Sequence, residues 1–577
     1  MVYILRVNMS DLSIKKETVP EKYQLMGGRA LTSHIINAEV DPHSHALGPN
    51  NKLVFAPGLL AGTPAPSSGR LSVGTKSPLT GTIKESNAGG VAAQKLARLG
   101  VKAIIVEGQP KDDKWYILKI DNEGGQLLPA DKIIGKGNYE TGELLRAQFG
   151  EKAGVISIGP AGENKMSAAS IAVADMEGHP VRHAGRGGTG AVMGSKGLKA
   201  LVIDDTNAPG VEIKDKEAFR GAAQAFSKML LANPTCGTGL PTYGTAVLIN
   251  ILNEAGGLPT ENFKRGRFEG AEKISGEFMY DTILARKGNP THACHPGCVM
   301  RCSQIYNDAE GNYLTAGFEY ETIWAFGADC CIDNLDQIAM ADRLCDDLGL
   351  DTIEMGVTMA VAMEAGVIPF GDGEGMLNLL KNEIGKATPL GRILGQGAAF
   401  TGQAYGITRV PVVKKQGIPA YDPRAVKGIG VTYATTTMGA DHTAGYSVAT
   451  NILKVGGFVN PLGTEGQVDL SRGLQIATAA IDSSGLCLFV AFTVLDEPEA
   501  LPKVADMLTA QYGVKVTVDD ITELGKAVLR VEREFNTRAG FTPAHDRLPE
   551  FFANEPVPPH NTTFDIAGEE LDKVFNF

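Results

Sequence analysis

No stretch of this 577-residue sequence stays apolar for the roughly 18 residues a membrane-crossing helix needs, so no transmembrane span is expected. The opening Met1-Val-Tyr-Ile-Leu-Arg-Val-Asn8 lacks the apolar core and small-residue cleavage site of a secretory signal and reads as a strand. Cysteine is scarce, eight in all, and its clustering is unlike a disulfide framework. A reducing, cytoplasmic setting is therefore expected. Positive charge is in deficit, 54 Lys and Arg against 66 Asp and Glu, and the net charge of -12 speaks against nucleic acid as the main partner. A Walker A loop is missing, as are a fixed-period repeat and any low-complexity tract. What remains is an ordinary globular composition, 43% apolar and 21% charged, long enough for two to four domains at about 150 residues each. The one excess is glycine: 70 residues, against a usual share of about 7%, imply much tightly turned backbone.

The cysteines that are present gather. Thr291-His-Ala-Cys294-His-Pro-Gly-Cys298-Val-Met-Arg-Cys302 holds three of the eight within nine positions. Free thiols usually scatter through a core as small hydrophobes, so this spacing suggests thiolates on one ion or cluster. The Pro-Gly pair disfavours a continuous helix and lets a loop turn successive sulfurs inward. Cys487, in Asp482-Ser-Ser-Gly-Leu-Cys487, is the best candidate for a fourth ligand. Three clustered cysteines and one distant cysteine suit an iron-sulfur cluster; zinc and plain buried thiols are the alternatives. Cys236, Cys330, Cys331 and Cys345 have no partner spacing and read as structural.

Along the chain, the first two hundred residues read as β-rich, with short apolar runs such as Lys52-Leu-Val-Phe-Ala56 and Ala103-Ile-Ile-Val-Glu107, and few helices beyond Ala92 to Leu99. Three Gly-rich stretches, Gly62 to Arg70, Ser86 to Gly90 and Arg182 to Gly190, read as loops, either phosphate-binding or simple β-turns. From Glu212 onward helical periodicity takes over, at Lys216 to Ala232, Asp336 to Leu348, Thr352 to Ala365, Leu474 to Ser484 and Ile521 to Arg538. The expected class is α+β, divided as 1–208 (β-rich), 209–412 and 413–577 (both mainly helical). One short element recurs after a predicted helix: Asp346-x-x-Gly349-Leu350-Asp351 and Asp482-x-x-Gly485-Leu486-Cys487. The pair could grip two similar ligands, and a glycine C-cap explains either copy alone.

Taken together, Leu5-Arg-Val-Asn8, Thr75-Lys-Ser-Pro-Leu-Thr-Gly81, Gly185-Arg-Gly-Gly188, Ser195-Lys-Gly-Leu-Lys-Ala200, Gly239-Leu-Pro-Thr-Tyr-Gly-Thr245, Pro419-Ala-Tyr-Asp-Pro-Arg424 and Ile481 to Phe489 resemble the tungsten-dependent aldehyde:ferredoxin oxidoreductase family over nearly the whole chain. That resemblance implies a β domain seating two pterins beneath two helical domains. It makes Asp346, Gly349, Leu350, Asp351, Asp482, Gly485 and Leu486 pterin contacts. It gives the pterin phosphates to Asn87, Ala88, Gly89, Arg182, His183, Gly185, Arg186 and Gly187, with Mg²⁺ on the backbone carbonyls of Asn87 and His183. Arg70 would lie between cluster and pterin. The metal, tungsten with molybdenum as the alternative, takes four dithiolene sulfurs and no protein ligand. Relatives use CxxCxxxC, and matching it here puts Thr291 at the first cysteine; Cys302 is then inferred to supply the missing sulfur, so Cys294, Cys298, Cys302 and Cys487 would hold [4Fe-4S]. The helix carrying Met340-Ala-Asp-Arg343 lacks the Glu and His with which some members bridge subunits through a metal, so no such metal is expected.

By the same resemblance Glu321 and His442 form the active-site pair. Aldehyde oxidation needs water activated and charge on the carbonyl oxygen stabilised, so Glu321 reads as general base and His442 as proton donor. Glu319 reads as a solvated neighbour, and His292 and His295 as surface residues or supports of the cysteine loop. The expected function is oxidation of an aldehyde to a carboxylic acid, with electrons passing to ferredoxin or a small iron-sulfur subunit, in a homo- or hetero-oligomer. Alternatives are the tungsten subunit of a reductase complex acting on aromatic acyl-CoA or carboxylic acids, and a zinc-stabilised binding protein without redox chemistry. Arg286, Lys287 and Arg301, around the cysteine loop, form a candidate docking patch for an acidic partner.

Overall fold

Two six-stranded sheets carry the N-terminal third of the computed structural model, which describes residues 2–577. The first contains β1 (Tyr3–Asn8), β2 (Ser13–Thr18), β3 (Leu53–Pro57), β4 (Leu71–Lys76), β5 (Ile83–Ala88) and β6 (Val101–Glu107), in the order β2-β1-β6-β3-β4-β5. The second contains β7 (Tyr116–Asp121), β8 (Gly124–Pro129), β9 (Gly154–Ser157), β10 (Ile171–Val173), β11 (Arg182–Ala184) and β12 (Leu198–Ile203), in the order β8-β7-β12-β9-β10-β11. Strand for strand the two orders are the same. So are the directions: β1–β6 and β7–β12 are parallel, and every other neighbouring pair is antiparallel.

The fold is therefore duplicated although the sequence shows no repeat. A helix follows each hairpin (Gly28–Glu39, Asn138–Phe149) and another precedes each last strand (Ala92–Arg98, Thr189–Ser195). Register makes the copies comparable by residue: Asn87 stands opposite Ser72 as His183 stands opposite Ala172. Ala88 and Gly89 correspond likewise to Ala184 and Gly185. Central strands β3 and β12 are buried at every position, which explains their apolar character, broken only by the buried Lys199 of β12.

Two expectations are corrected here. The N-terminal region holds more helix than the Ala92 segment, because Gly28–Glu39 and Asn138–Phe149 hide their periodicity among polar and small residues. Asn87–Ala88 end β5 and Arg182–Ala184 are the whole of β11, strand and not loop; their flanking glycines suggested turns, but they pair in ladders with β4 and β10. Gly185-x-Gly187-x-x-Gly190 has the dinucleotide-loop spacing, yet it leads from an antiparallel strand into a seven-residue helix, outside any βαβ unit.

Beyond residue 210 helices dominate. Lys216–Ala232 has the predicted bounds and starts where Asp215 accepts from the Ala218 N–H. Val518–Arg538 buries Ile521, Gly525, Val528, Leu529, Glu532 and Phe535, one face at three- and four-residue spacing. A small antiparallel sheet interrupts them: β13 (Asn289–His292), β14 (Ser303–Asn307) and β15 (Tyr313–Ala316). The cysteine loop is the β13–β14 connection. One hydrophobic core runs through residues on both sides of position 412. Among the described residues, no helix is long and apolar enough to cross a membrane.

Candidate functional site

The two sheet units meet along β5 and β11, and the helical region closes over that junction to enclose a cavity of about 370 Å³. Two helix ends reach it, built alike. Leu335–Leu348 ends at Gly349 (φ 72°) and Gln467–Ser484 at Gly485 (φ 83°), left-handed caps that favour glycine. Each has an aspartate three residues earlier, Asp346 or Asp482, and a buried leucine one residue later, Leu350 or Leu486.

Each sheet unit holds one turn. The Ser170 N–H donates to the Gly349 carbonyl at 2.9 Å and the Arg70 N–H to the Gly485 carbonyl at 3.1 Å. The Asp351 N–H donates to Ala168 at 3.0 Å and the Cys487 N–H to Ser67 at 2.8 Å. Close approach requires glycine on the sheet side as well: a Cβ on Gly58 would lie 2.0 Å from Gly485 Cα, and one on Gly159 would lie 2.3 Å from the Leu348 carbonyl carbon.

Many of the cavity-facing side chains are charged. Asp346 lies 3.0 Å from His183 Nε2 and Asp351 lies 3.2 Å from Arg186 Nε while capping Thr352–Glu364. Asp482 lies 3.2 Å from Arg29; burial raises it to about 6, with Arg29 opposing the rise. Lys84, Arg182 and Arg186 add cations to the same walls. Gly187 (φ 87°) leaves room for the Lys84 side chain, which a Cβ would meet at 2.7 Å.

Cys294, Cys302 and Cys487 line one end beside Arg70, whose Nη2 donates to Cys487 Sγ at 3.2 Å. Cys298, less buried, accepts from the Arg301 N–H at 3.4 Å. A hydrogen bond between the two thiols raises Cys294 and lowers Cys298 to about 7, while burial, Glu319 and the other three cysteines push Cys302 well up. The Thr291 hydroxyl, in β13, donates to the Pro241 carbonyl at 2.8 Å and is committed away from the sulfurs.

In the same cavity, His442 Nε2 lies 3.4 Å from Glu321 Oε1, and the Ala420 N–H donates to Glu321 Oε2 at 3.0 Å. Burial, reinforced by Asp441 and Asp351, raises Glu321 to about 8 against the opposing Ala420 N–H and Arg186. Burial, with Arg186, lowers His442 to about 4 against Asp441. Tyr421 and Tyr446, whose hydroxyls are 2.9 Å apart, wall the pair.

Several residues sit elsewhere than expected. Glu319 lines the cavity, bonded to Thr245 (2.7 Å) and 3.6 Å from Arg182. His292 and His295 are buried, not surface residues. Arg286 is paired bidentately with Asp336, at 2.5 and 2.9 Å, so its charge is compensated. Sequence reading missed Arg29, Lys84, Glu85 and Asp441. A Lys-Glu pair in the otherwise uncharged β5 was the available signal, since both are buried in this structure.

The side chains fit the groups the resemblance implies. Four neighbouring cysteines, three of them buried, suit a four-thiolate iron-sulfur cluster. The cavity-lining Arg70 Nε, Arg182 Nε, Glu321 Oε1 and His442 Nδ1 are buried without a partner, as expected where a large hydrogen-bonding anion would complete the wall.

Clustered cysteines beside a carboxylate–imidazole pair in one enclosed cavity are the equipment of an oxidoreductase. Family models described as the aldehyde ferredoxin oxidoreductase N-terminal domain and domains 2 and 3 match residues 4–205 and 222–575. The chain belongs to the aldehyde ferredoxin oxidoreductase family. It is 39% identical to a tungsten-containing aldehyde ferredoxin oxidoreductase of Pyrococcus horikoshii, over 96% of this chain and 92% of that one. A Pyrococcus furiosus protein of the same description is 38% identical over 96% and 91%. A P. furiosus protein described as an aliphatic sulfonate oxidoreductase, WOR-like subunit, is 26% identical. The fold is also that of the active-site complex BamBC of benzoyl-coenzyme A reductase, with TM-score 0.81, 21% identity, and 99% and 92% of the chains covered. Family membership sets aside the zinc-stabilised, non-redox reading.

Proposed function

We propose that this chain oxidises aldehydes to carboxylic acids on a tungsten bis-pterin, with water as oxygen source, and sends the electrons through a [4Fe-4S] cluster to ferredoxin or a small iron-sulfur subunit. The observation that carries the reading is the Glu321–His442 pair opening into the same cavity as Cys294, Cys302 and Cys487. One pterin would rest on Asp346, Gly349, Leu350 and Asp351, the other on Asp482, Gly485 and Leu486. Their phosphates would take Ala88, Gly89, Arg182, Gly185, Arg186 and Gly187, with Mg²⁺ on the carbonyls of Asn87 and His183, which hold equivalent places in the duplicated sheets. Cys294, Cys298, Cys302 and Cys487 would hold the cluster, bridged to the pterin side by Arg70.

When bound, these groups supply the two-electron acceptor for the substrate carbon and the one-electron relay outward. The protein's share is proton handling. Around neutral pH the pair holds one proton, on Glu321, and His442 is a neutral imidazole. Moving that proton across the pair creates the carboxylate that activates water and the imidazolium that donates to the carbonyl oxygen, both in one transfer. Arg186 and Asp441, close by, offset the separated charges.

The division at 208/209 and 412/413 and a cytoplasmic location are part of the same proposal, the latter supported by eight unpaired cysteines. Metal analysis of purified protein and a panel of aldehydes with a viologen acceptor test the function. Tungsten and about four irons per chain with aldehyde turnover are expected; reduction of acyl-CoA or acids only, in the presence of further subunits, would move the assignment to the reductase class.

A further inference from the structure

The β10–β11 connection folds back on β13 just ahead of the cysteine loop, and four potential metal donors collect there outside the cavity. His292 Nε2 lies 2.9 Å from Glu177 Oε2, and donor atoms of Asp175, Glu177 and His292 all lie within 4.8 Å of one another. The Asp175 side chain is 1% exposed. Its Oδ1 accepts from the Glu177 and His179 N–H groups, at 3.0 and 2.8 Å, but its Oδ2 is buried with no partner. A carboxylate oxygen shielded from water with nothing to accept from is costly unless a cation faces it. The nearby imidazole does not fill that role. His179 Nδ1 is 3.9 Å from Oδ2 and is itself buried without a partner.

We propose that Asp175, Glu177 and His292 bind one divalent transition cation of the zinc type, with His179 Nδ1 as fourth donor. Two carboxylates and two imidazoles are a donor set for such ions, whereas a set without nitrogen would favour Mg²⁺ or Ca²⁺. Bonds of about 2.0–2.2 Å require the donors to draw together, which rotation of the exposed Glu177 and the half-exposed His179 allows. The His292 ring is already oriented: its Nδ1 is 3.4 Å from the Ser303 hydroxyl, which also contacts Arg182. The ion would thus clamp the strand entering the cysteine loop to the sheet edge that carries Arg182 and His183.

The test is equilibrium dialysis of the purified holoenzyme, stripped of loosely held metal with a mild chelator, against radiolabelled Zn²⁺. Wild type should retain one equivalent per chain beyond its iron and tungsten, and Zn²⁺ should raise its melting midpoint. Glu177→Gln, at an exposed position, should weaken retention by about 10-fold or more, and Asp175→Asn should abolish it and the midpoint shift, with iron content and far-ultraviolet circular dichroism unchanged. Equal retention by wild type and Glu177→Gln, or no retention by wild type, would overturn the site. Displacement by equimolar Mg²⁺ would overturn the zinc-type assignment.

Discussion

Protonation of the Glu321–His442 pair sets the pH range in which it can work. Burial places the two groups near 8 and near 4, so between those values they hold one proton together. Below about 4 the pair gains a second proton and has no base; above about 8 it has none to donate. A bell-shaped profile of kcat/KM with limbs near those values is expected, measured with a dye whose own reduction is pH-independent. Glu321→Gln should remove the alkaline limb and lower turnover by roughly 10² or more, with tungsten and iron content intact; a persisting limb would assign it to another group. Cys302→Ala should lose the iron-sulfur absorbance and most activity. Adding Thr291→Cys should not restore the iron, because position 291 points to the Pro241 carbonyl. Iron per chain, by atomic absorption, decides both.

At the scale of elements, the paired turns were legible because their chemistry is local: a glycine cap, an aspartate one helical turn before it and an apolar residue after it all lie within six positions. What grips them was not legible, since Ser170, Arg70, Gly58 and Gly159 are brought there by sheet topology. The same cause hid β5 and β11, whose glycine-flanked ends become strand only through pairing. It hid the duplication too, which survives in strand order and register after the side chains have diverged. The long helices, with apolar stripes written in the sequence, were readable nearly to the residue, as Lys216–Ala232 shows. The turns can be tested by substitution. Gly485→Ala should cost about 1–2 kcal/mol through its left-handed backbone, plus the cost of a Cβ 2.8 Å from Gly58 Cα. Gly58→Ala should cost more, because its Cβ would lie closer still, 2.0 Å from Gly485 Cα, against backbone atoms that cannot rotate aside. Urea unfolding followed by tungsten analysis would rank the two, and equal stability with full tungsten in Gly58→Ala would show that the contact yields.

For the molecule as a whole, a net charge of -12 means that an acidic electron acceptor must find a local patch of opposite sign. Arg286 is spent on Asp336, which leaves Lys287 and Arg301, both exposed and both flanking the cysteine loop. Lys287→Glu with Arg301→Glu should slow ferredoxin reduction more at low salt than at high salt and leave the viologen rate unchanged. Stopped-flow rates across an ionic-strength series would show it, and salt-independent rates would place docking elsewhere.

The duplicated frame differs in one respect that its symmetry makes conspicuous. Two residues after the capping glycine, one unit carries Asp351, bound to Arg186, and the other carries Cys487, bound to Arg70. On the proposed reading, two berths of like build would have a single outlet between them. Current drawn from the centre would have a fixed heading, through the berth that carries a thiol where its twin carries an aspartate, while that twin would serve only as an anchor.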